Sequence, residues 1–170
     1  MKPLPELSTD ESLRYARHIS IPDIGLEGQR KLKAASVLLV GCGGLGSALA
    51  LYLAAAGVGH IGLVDADRVE LSNLQRQVIH DTPGLGELKV HSAQKRILAL
   101  NPLINVDVYP LRLTSANAVE ISRGYDLLLD GCDNFATRYL LNDLALSSRR
   151  VYIYGAVQHF EGQVSVFDAR

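Results

Sequence analysis

The chain has no tryptophan, one methionine, three phenylalanines and only two cysteines. Cys42 and Cys132 form no C-x-x-C, which excludes a disulfide framework and a zinc knuckle within these residues. Charge of either sign is not in excess: 17 Lys and Arg against 18 Asp and Glu leave a net charge of -1, so bulk binding to nucleic acid or to an anionic membrane is not expected. The five histidines (His18, His60, His80, His91 and His159) show no H-x-H or H-E-x-x-H spacing. Each is expected to be structural or superficial rather than a metal ligand. No long apolar run occurs. The longest, Ala48 to Val58, is far short of the roughly 20 residues a bilayer requires. The first residues lack the apolar stretch of a secretory signal. A cytoplasmic protein is expected, with no membrane partner.

At 170 residues and 48% apolar content, one domain with a sizeable core is expected. Ser8 with Glu11 forms a capping-box signature opening a helix over 8–19, with Leu13 beginning its apolar face. A second helix is expected over 26–34. Val37 to Val40 is a continuous apolar run ended by glycines, the pattern of a strand buried on both faces. A helix over 45–56 follows, ended by Gly57. Then come a strand over 60–65, a loop with short helical pieces over 66–85, and a helix over 86–100 stopped by Asn101-Pro102. Further strands are expected at 105–109, 126–130, 151–154 and 163–167, with helices at 115–122 and 134–147. The last two strands, joined by a short 158–162 segment, suit an antiparallel pair. Strands alternating with helices predict an α/β fold, a Rossmann-like, doubly wound, mostly parallel sheet with N-terminal helices. The organisation expected is an N-terminal helical segment, 1–35, on a nucleotide-binding domain, 36–170, as one structural unit.

Three segments carry chemistry. Gly41-Cys42-Gly43-Gly44-Leu45-Gly46 matches G-x-G-x-x-G between a predicted strand and a predicted helix. Such glycines let backbone approach a phosphate, and the helix N-terminus offers free N–H groups to an anion. Asp65, about 20 residues on, ends the next strand, where an acid can accept ribose hydroxyls. A nucleotide site follows from this context, but the motif alone does not separate NAD from ATP. The second segment runs from Asp65 to Gln77 and contains Asp67, Asn73 and Arg76. Lys89 follows in the first turn of a helix, where the dipole disfavours a lone cation and a bound polyphosphate would favour it. A solvated surface is the plainer reading of Arg76 and Lys89. The third segment, Asp130-Gly131-Cys132-Asp133-Asn134, places two acids just past a buried strand. Asp133 or Asn134 could cap the next helix, or a carboxylate there could hold Mg²⁺ against a phosphate. Cys132 is expected to be buried and inert.

Together these segments resemble the MoeB/ThiF/HesA-type adenylyltransferases, MoeB most of all, which are relatives of the adenylation domain of ubiquitin-activating enzymes. The resemblance runs over nearly the whole chain. It is carried by Leu13 to His18, Val40 to Gly46, Gly57-Val58-Gly59, Asp65-Ala66-Asp67, Leu71 to Gln77, Asp130 to Asn134 and Glu161-Gly162-Gln163. It implies ATP-dependent adenylation of the C-terminal glycine carboxylate of a ubiquitin-like sulfur-carrier protein, with release of pyrophosphate. It implies that Gly41, Gly43, Gly44 and Gly46 lie against the nucleotide and that Asp65 holds the ribose. Asn73, Arg76 and Lys89 would meet the triphosphate, with Asp67 and Gln77 in support. Asp133 would bind Mg²⁺ or act directly at the reacting centre. Arg17 resembles an arginine that crosses a homodimer into the partner's ATP site.

Family members usually continue into a segment with zinc-binding C-x-x-C pairs and carrier-docking strands. Those features are not among these residues, so the residues present do not support zinc, and either a fragment or a naturally short chain is expected. Two other readings remain at this point. A nicotinamide-dependent dehydrogenase would explain the glycine loop and Asp65 but not Asn73, Arg76, Lys89 or Arg17. A non-catalytic nucleotide- or carrier-binding module would use the same residues without turnover.

Overall fold

The computed structural model describes residues 3–170. The chain begins with three short helices, α1 (Thr9–Arg14), α2 (Ala16–Ile19) and α3 (Gly25–Ala34). Next come β1 (Ser36–Val40), α4 (Gly44–Ala56), β2 (His60–Val64), α5 (Lys89–Leu100), β3 (Asn105–Tyr109), α6 (Ala118–Ser122) and β4 (Leu127–Asp130). It closes with α7 (Phe135–Ser148), β5 (Val151–Gln158) and β6 (Glu161–Asp168). The strands form one sheet in the order β3-β2-β1-β4-β5-β6, parallel except for the antiparallel β6. The predicted doubly wound α/β fold is therefore present.

Alternation along the central strands divides the core. Val37 and Leu39 of β1, with Ile61, Leu63 and Leu129, pack under Ala50 and Ala54 of α4 and Val90, Ala93 and Ile97 of α5. Leu38 and Val40, with Val64, Leu128 and Tyr152, pack on the other face against Ala118, Leu141, Leu144 and Ala145. Strands covered on both faces cannot carry polar residues in their interiors, which is why β1 and β4 read as unbroken apolar runs.

Several element ends depart from expectation. The first predicted helix breaks at Tyr15, whose φ and ψ are -99° and 14°. The capping box is formed, with Ser8 N donating to Glu11 Oε2 at 2.6 Å and Glu11 N to Ser8 Oγ at 3.1 Å. Leu13 begins no apolar face, being 79% exposed; Glu11 and Tyr15 are the buried residues, Glu11 because Lys33 meets its carboxylate at 2.6 Å. α5 starts at Lys89 and not at Gly86, because Gly86 has φ of 82° and the Glu87 carbonyl accepts the Val69 amide at 2.9 Å. α6 starts at Ala118, since the Asn117 side chain accepts the Thr114 amide in a turn. β5 and β6 are longer than expected and meet at His159-Phe160, where His159 takes a φ of 56°. Backbone pairing extends both strands through residues with little apolar signal.

The N-terminal helices dock at the far end of α4. Asn101, fully buried where α5 stops, donates to the Tyr15 hydroxyl at 2.8 Å and to the Ala54 carbonyl at 2.7 Å. Gln29 donates to the Ala56 carbonyl at 2.9 Å. Gly57 ends α4 in a left-handed conformation, as predicted.

Candidate functional site

The strand order places β1 between β2 and β4, so the chain leaves β1 one way and returns to β4 on the other side. Such a switch point opens a crevice outside the carboxyl ends of the strands. Val40 and Asp130, last residues of β1 and β4, are register partners there. The two turns that follow touch backbone to backbone. Gly41 has φ of 98°, and a Cβ on it would lie 2.6 Å from the Gly131 carbonyl oxygen. A Cβ on Gly46 would lie 1.9 Å from the Gly41 oxygen, so this glycine seats α4 against the loop. Gly43 and Gly44 are different. A side chain there would meet only Gln77 Nε2 and Arg76 Cγ at 3.7 Å, an ordinary contact. They keep the N-terminus of α4 bare.

Asp65 accepts the Cys42 amide at 2.8 Å on one oxygen and the Asp67 amide at 2.8 Å on the other. Its carboxylate thus ties the glycine loop to the end of β2 and retains further lone pairs. The Cys42 carbonyl lies 2.9 Å from His80 Nε2, and His80 Nδ1 lies 2.9 Å from the Ser92 hydroxyl. Burial lowers the His80 pKa, and the nearby Lys89 charge adds to this, against an opposing contribution from the Cys42 carbonyl. His80 is therefore the neutral ring, with Nε2–H donating to Cys42 and Ser92 donating to Nδ1.

The Asp65–Gln77 segment wraps over the loop. A short 3-10 turn, Leu71–Asn73, ends with the Asn73 carbonyl accepting the Arg76 and Gln77 amides at 3.2 and 3.0 Å. That turn delivers the Arg76 stem across Gly44, and the exposed guanidinium reaches the Ser72 carbonyl at 3.4 Å. Gln77 is buried beside Gly43, and its Oε1 has no hydrogen-bond partner among the described residues. Lys89 is neither a lone cation nor a solvated one: it is buried, and its ammonium lies 3.2 Å from the Asp67 carboxylate. Asp67 supplies the negative charge that the helix dipole demands there.

At the end of β4, Asn134 and not Asp133 caps α7, accepting the Thr137 amide at 2.9 Å. Asp133 is exposed and makes no hydrogen bond or ion pair among the described residues. The Cys132 thiol is buried; burial and the Asp130 carboxylate push its pKa up to about 12. Burial pushes Cys42 higher still, so both thiols are inert. Arg17 is not part of this assembly. It is exposed on α2, at the opposite end of α4, whose 13 residues span about 20 Å.

The structure thus brings together the glycine loop, Asp65, Asp67, Asn73, Arg76, Gln77 and Lys89, with Asp133 on the neighbouring turn, and leaves Arg17 apart. The sequence reading missed His80, Ser92 and Arg138 as supports. The last of these lies 3.5 Å from the buried Asp130 carboxylate. None of the three sits in a spacing that advertises a role.

Comparisons with known proteins bear on the family and the fold. The ThiF family profile matches residues 15–170. The chain is 54% identical over 167 residues to a probable adenylyltransferase/sulfurtransferase MoeZ of Mycobacterium tuberculosis, covering 98% of this chain and 43% of that one. It is 55% identical over 160 residues to a sulfur carrier protein adenylyltransferase of Thermus thermophilus, covering 94% of this chain and 59% of that one. The chain therefore spans about half the length of these curated relatives. Among solved structures, PaaA superposes with a TM-score of 0.80 at 29% identity, covering 89% of this chain and 49% of that chain. Escherichia coli MccB crystallised with ATP gives a TM-score of 0.75 at 29% identity, covering 84% and 44%. With its glycine loop, strand-end acids and S-N-L-Q-R-Q segment gathered at one switch point, the chain belongs to the ThiF family.

Proposed function

We propose that this chain binds ATP at the β1/β4 switch point and adenylates the C-terminal carboxylate of a ubiquitin-like sulfur-carrier protein, releasing pyrophosphate. The main support is the Arg76 stem laid over a bare helix N-terminus, with the buried Lys89 held on Asp67 and the unpartnered Asp133 carboxylate on the adjoining turn. A nicotinamide-dependent dehydrogenase needs no such set.

A C-terminal carboxyl group has a pKa of about 3.5, so the nucleophile is ionised at neutral pH and needs no general base. The barrier is repulsion, because one anion must approach the α-phosphorus of another. Amides at the α4 N-terminus, fixed before the reaction begins, and the Arg76 guanidinium lower that repulsion. Lys89, held by Asp67, adds charge from the far side of the loop. Asp65 orients the ribose.

Mg²⁺ suits the donor set, since it takes one or two carboxylates and completes its shell with phosphate oxygens and water, and Asp133 is one exposed carboxylate with no competing partner. When bound, the ion would offset charge on the phosphates. Asp133 would hold it. Arg17, remote from the loop of its own chain, would serve the site of a second copy in a homodimer.

Incubation with ATP, magnesium and a carrier ending in Gly-Gly should add one AMP to the carrier, read by mass spectrometry. Arg76→Ala and Asp133→Ala should abolish the adduct while leaving the circular dichroism spectrum unchanged. An adduct at the normal rate in either variant removes that residue from the mechanism.

A further inference from the structure

We propose that Arg138 is a positioning residue for Asp133, acting by clamping the turn that carries it. This rests on the reading of Asp133 as the magnesium-binding carboxylate.

Arg138 occupies the first turns of α7, where the helix dipole opposes a cation, and its side chain is only 16% exposed. Such a placement needs compensation. The Asp130 carboxylate, with no exposed side-chain surface, lies 3.5 Å from Arg138 Nε. The Tyr154 ring lies 5.2 Å from the guanidinium on one side, and Phe135 lies at 5.9 Å. The fork is then used on backbone: Nη2 donates to the Cys132 carbonyl at 3.0 Å and reaches the Gly155 carbonyl at 3.4 Å.

Asp130 holds the other side of the same residue. Its Oδ1 accepts the Cys132 amide at 2.9 Å, and its Oδ2 accepts the Tyr152 hydroxyl at 2.8 Å. Both backbone groups of Cys132 are therefore fixed by side chains, the amide by the buried Asp130 and the carbonyl by the half-buried Arg138. The Cys132 carbonyl belongs to the peptide that leads into Asp133, so its orientation sets the direction in which Asp133 leaves the chain. Asp133 has no side-chain partner of its own, so this peptide is what aims it. The glycine loop uses the same device: Asp65 takes the Cys42 amide and His80 donates to the Cys42 carbonyl. Both turns that flank the switch point are pinned at a cysteine, from both sides, by side chains.

The test compares wild type, D133N, R138M and the double variant in the full chain. The primary readout is affinity for a non-hydrolysable ATP analogue with magnesium and with EDTA, measured by calorimetry; thermal stability is followed alongside. Wild type should bind more tightly with magnesium, and D133N should lose that gain. R138M should lose roughly 10- to 100-fold of magnesium-dependent affinity, the usual cost of removing an outer support of a metal ligand, while its affinity in EDTA stays that of wild type. The double variant should be no worse than D133N, because Arg138 acts through Asp133. R138M with the full magnesium gain beside a deficient D133N overturns the clamp alone. A double variant that falls by the product of the single losses overturns it too. D133N with the full gain overturns the metal reading beneath it. Should R138M fail to fold, R138K carries the test, since one ammonium cannot replace the planar fork: a full magnesium gain in R138K overturns the proposal.

Discussion

His80 shows how a residue with no chemical step of its own serves the site. Its imidazole donates Nε2–H to the Cys42 carbonyl, and Ser92, donating to Nδ1 of the neutral ring, fixes that tautomer. In the unfolded chain the ring titrates near 6.5, whereas burial holds it lower in the fold. Between the two values the unfolded chain binds a proton that the folded chain refuses. Falling pH through and below about 6.5 should therefore favour unfolding. The unfolding free energy of H80Q should decline less steeply than that of wild type between about pH 7 and pH 5. Equal slopes in denaturant titrations would show that His80 contributes nothing to the pH dependence. The sequence revealed Asp65 and Arg76 because both sit in ordered strings beside the glycine loop. It did not reveal His80, which meets Cys42 across 38 positions, or the hold of Arg138 on Cys132. Such contacts depend on how the loops close over one another, and that follows from the packing of α5 and α7.

At the scale of elements, the glycine loop divides into a half that packs against backbone, Gly41 and Gly46, and an open half, Gly43 and Gly44. Gly46→Ala should weaken folding sharply, because its Cβ would lie 1.9 Å from the Gly41 oxygen and α4 would have to shift. Gly44→Ala should leave the melting temperature nearly unchanged, since its Cβ finds ordinary contact with Arg76, yet it should weaken ATP binding by crowding the bare helix end. Thermal melts and ATP titrations of the two variants check this. A stable G46A or a G44A with wild-type affinity would contradict it. The strands and the order of the helices were legible because apolar runs and caps are local signals. Element ends were less legible. α5 begins late because the Glu87 carbonyl is taken by Val69, and β5 and β6 lengthen through mutual pairing. Lys89 was correctly singled out as a cation in an unfavourable place, but its partner Asp67 could be found only by folding the intervening loop.

At the scale of the whole molecule, α4 separates two ends with different duties. Its N-terminus adjoins the glycine loop, and its C-terminus anchors the N-terminal helices, among them the one that carries Arg17. If Arg17 serves a second copy, R17A and R76A should each be inactive alone, yet a mixture of the two should recover part of the activity. The hybrid dimer would contain one site with both arginines intact. No recovery after mixing and re-equilibration would place Arg17 outside the active site.

The most direct measurement is carrier-dependent exchange of labelled pyrophosphate into ATP, with magnesium and a panel of ubiquitin-like proteins ending in Gly-Gly. The account predicts exchange with at least one carrier, none without a carrier, and none in R76A. ATP binding without exchange for any carrier would contradict it and would identify the chain as a nucleotide-binding module without adenylation activity.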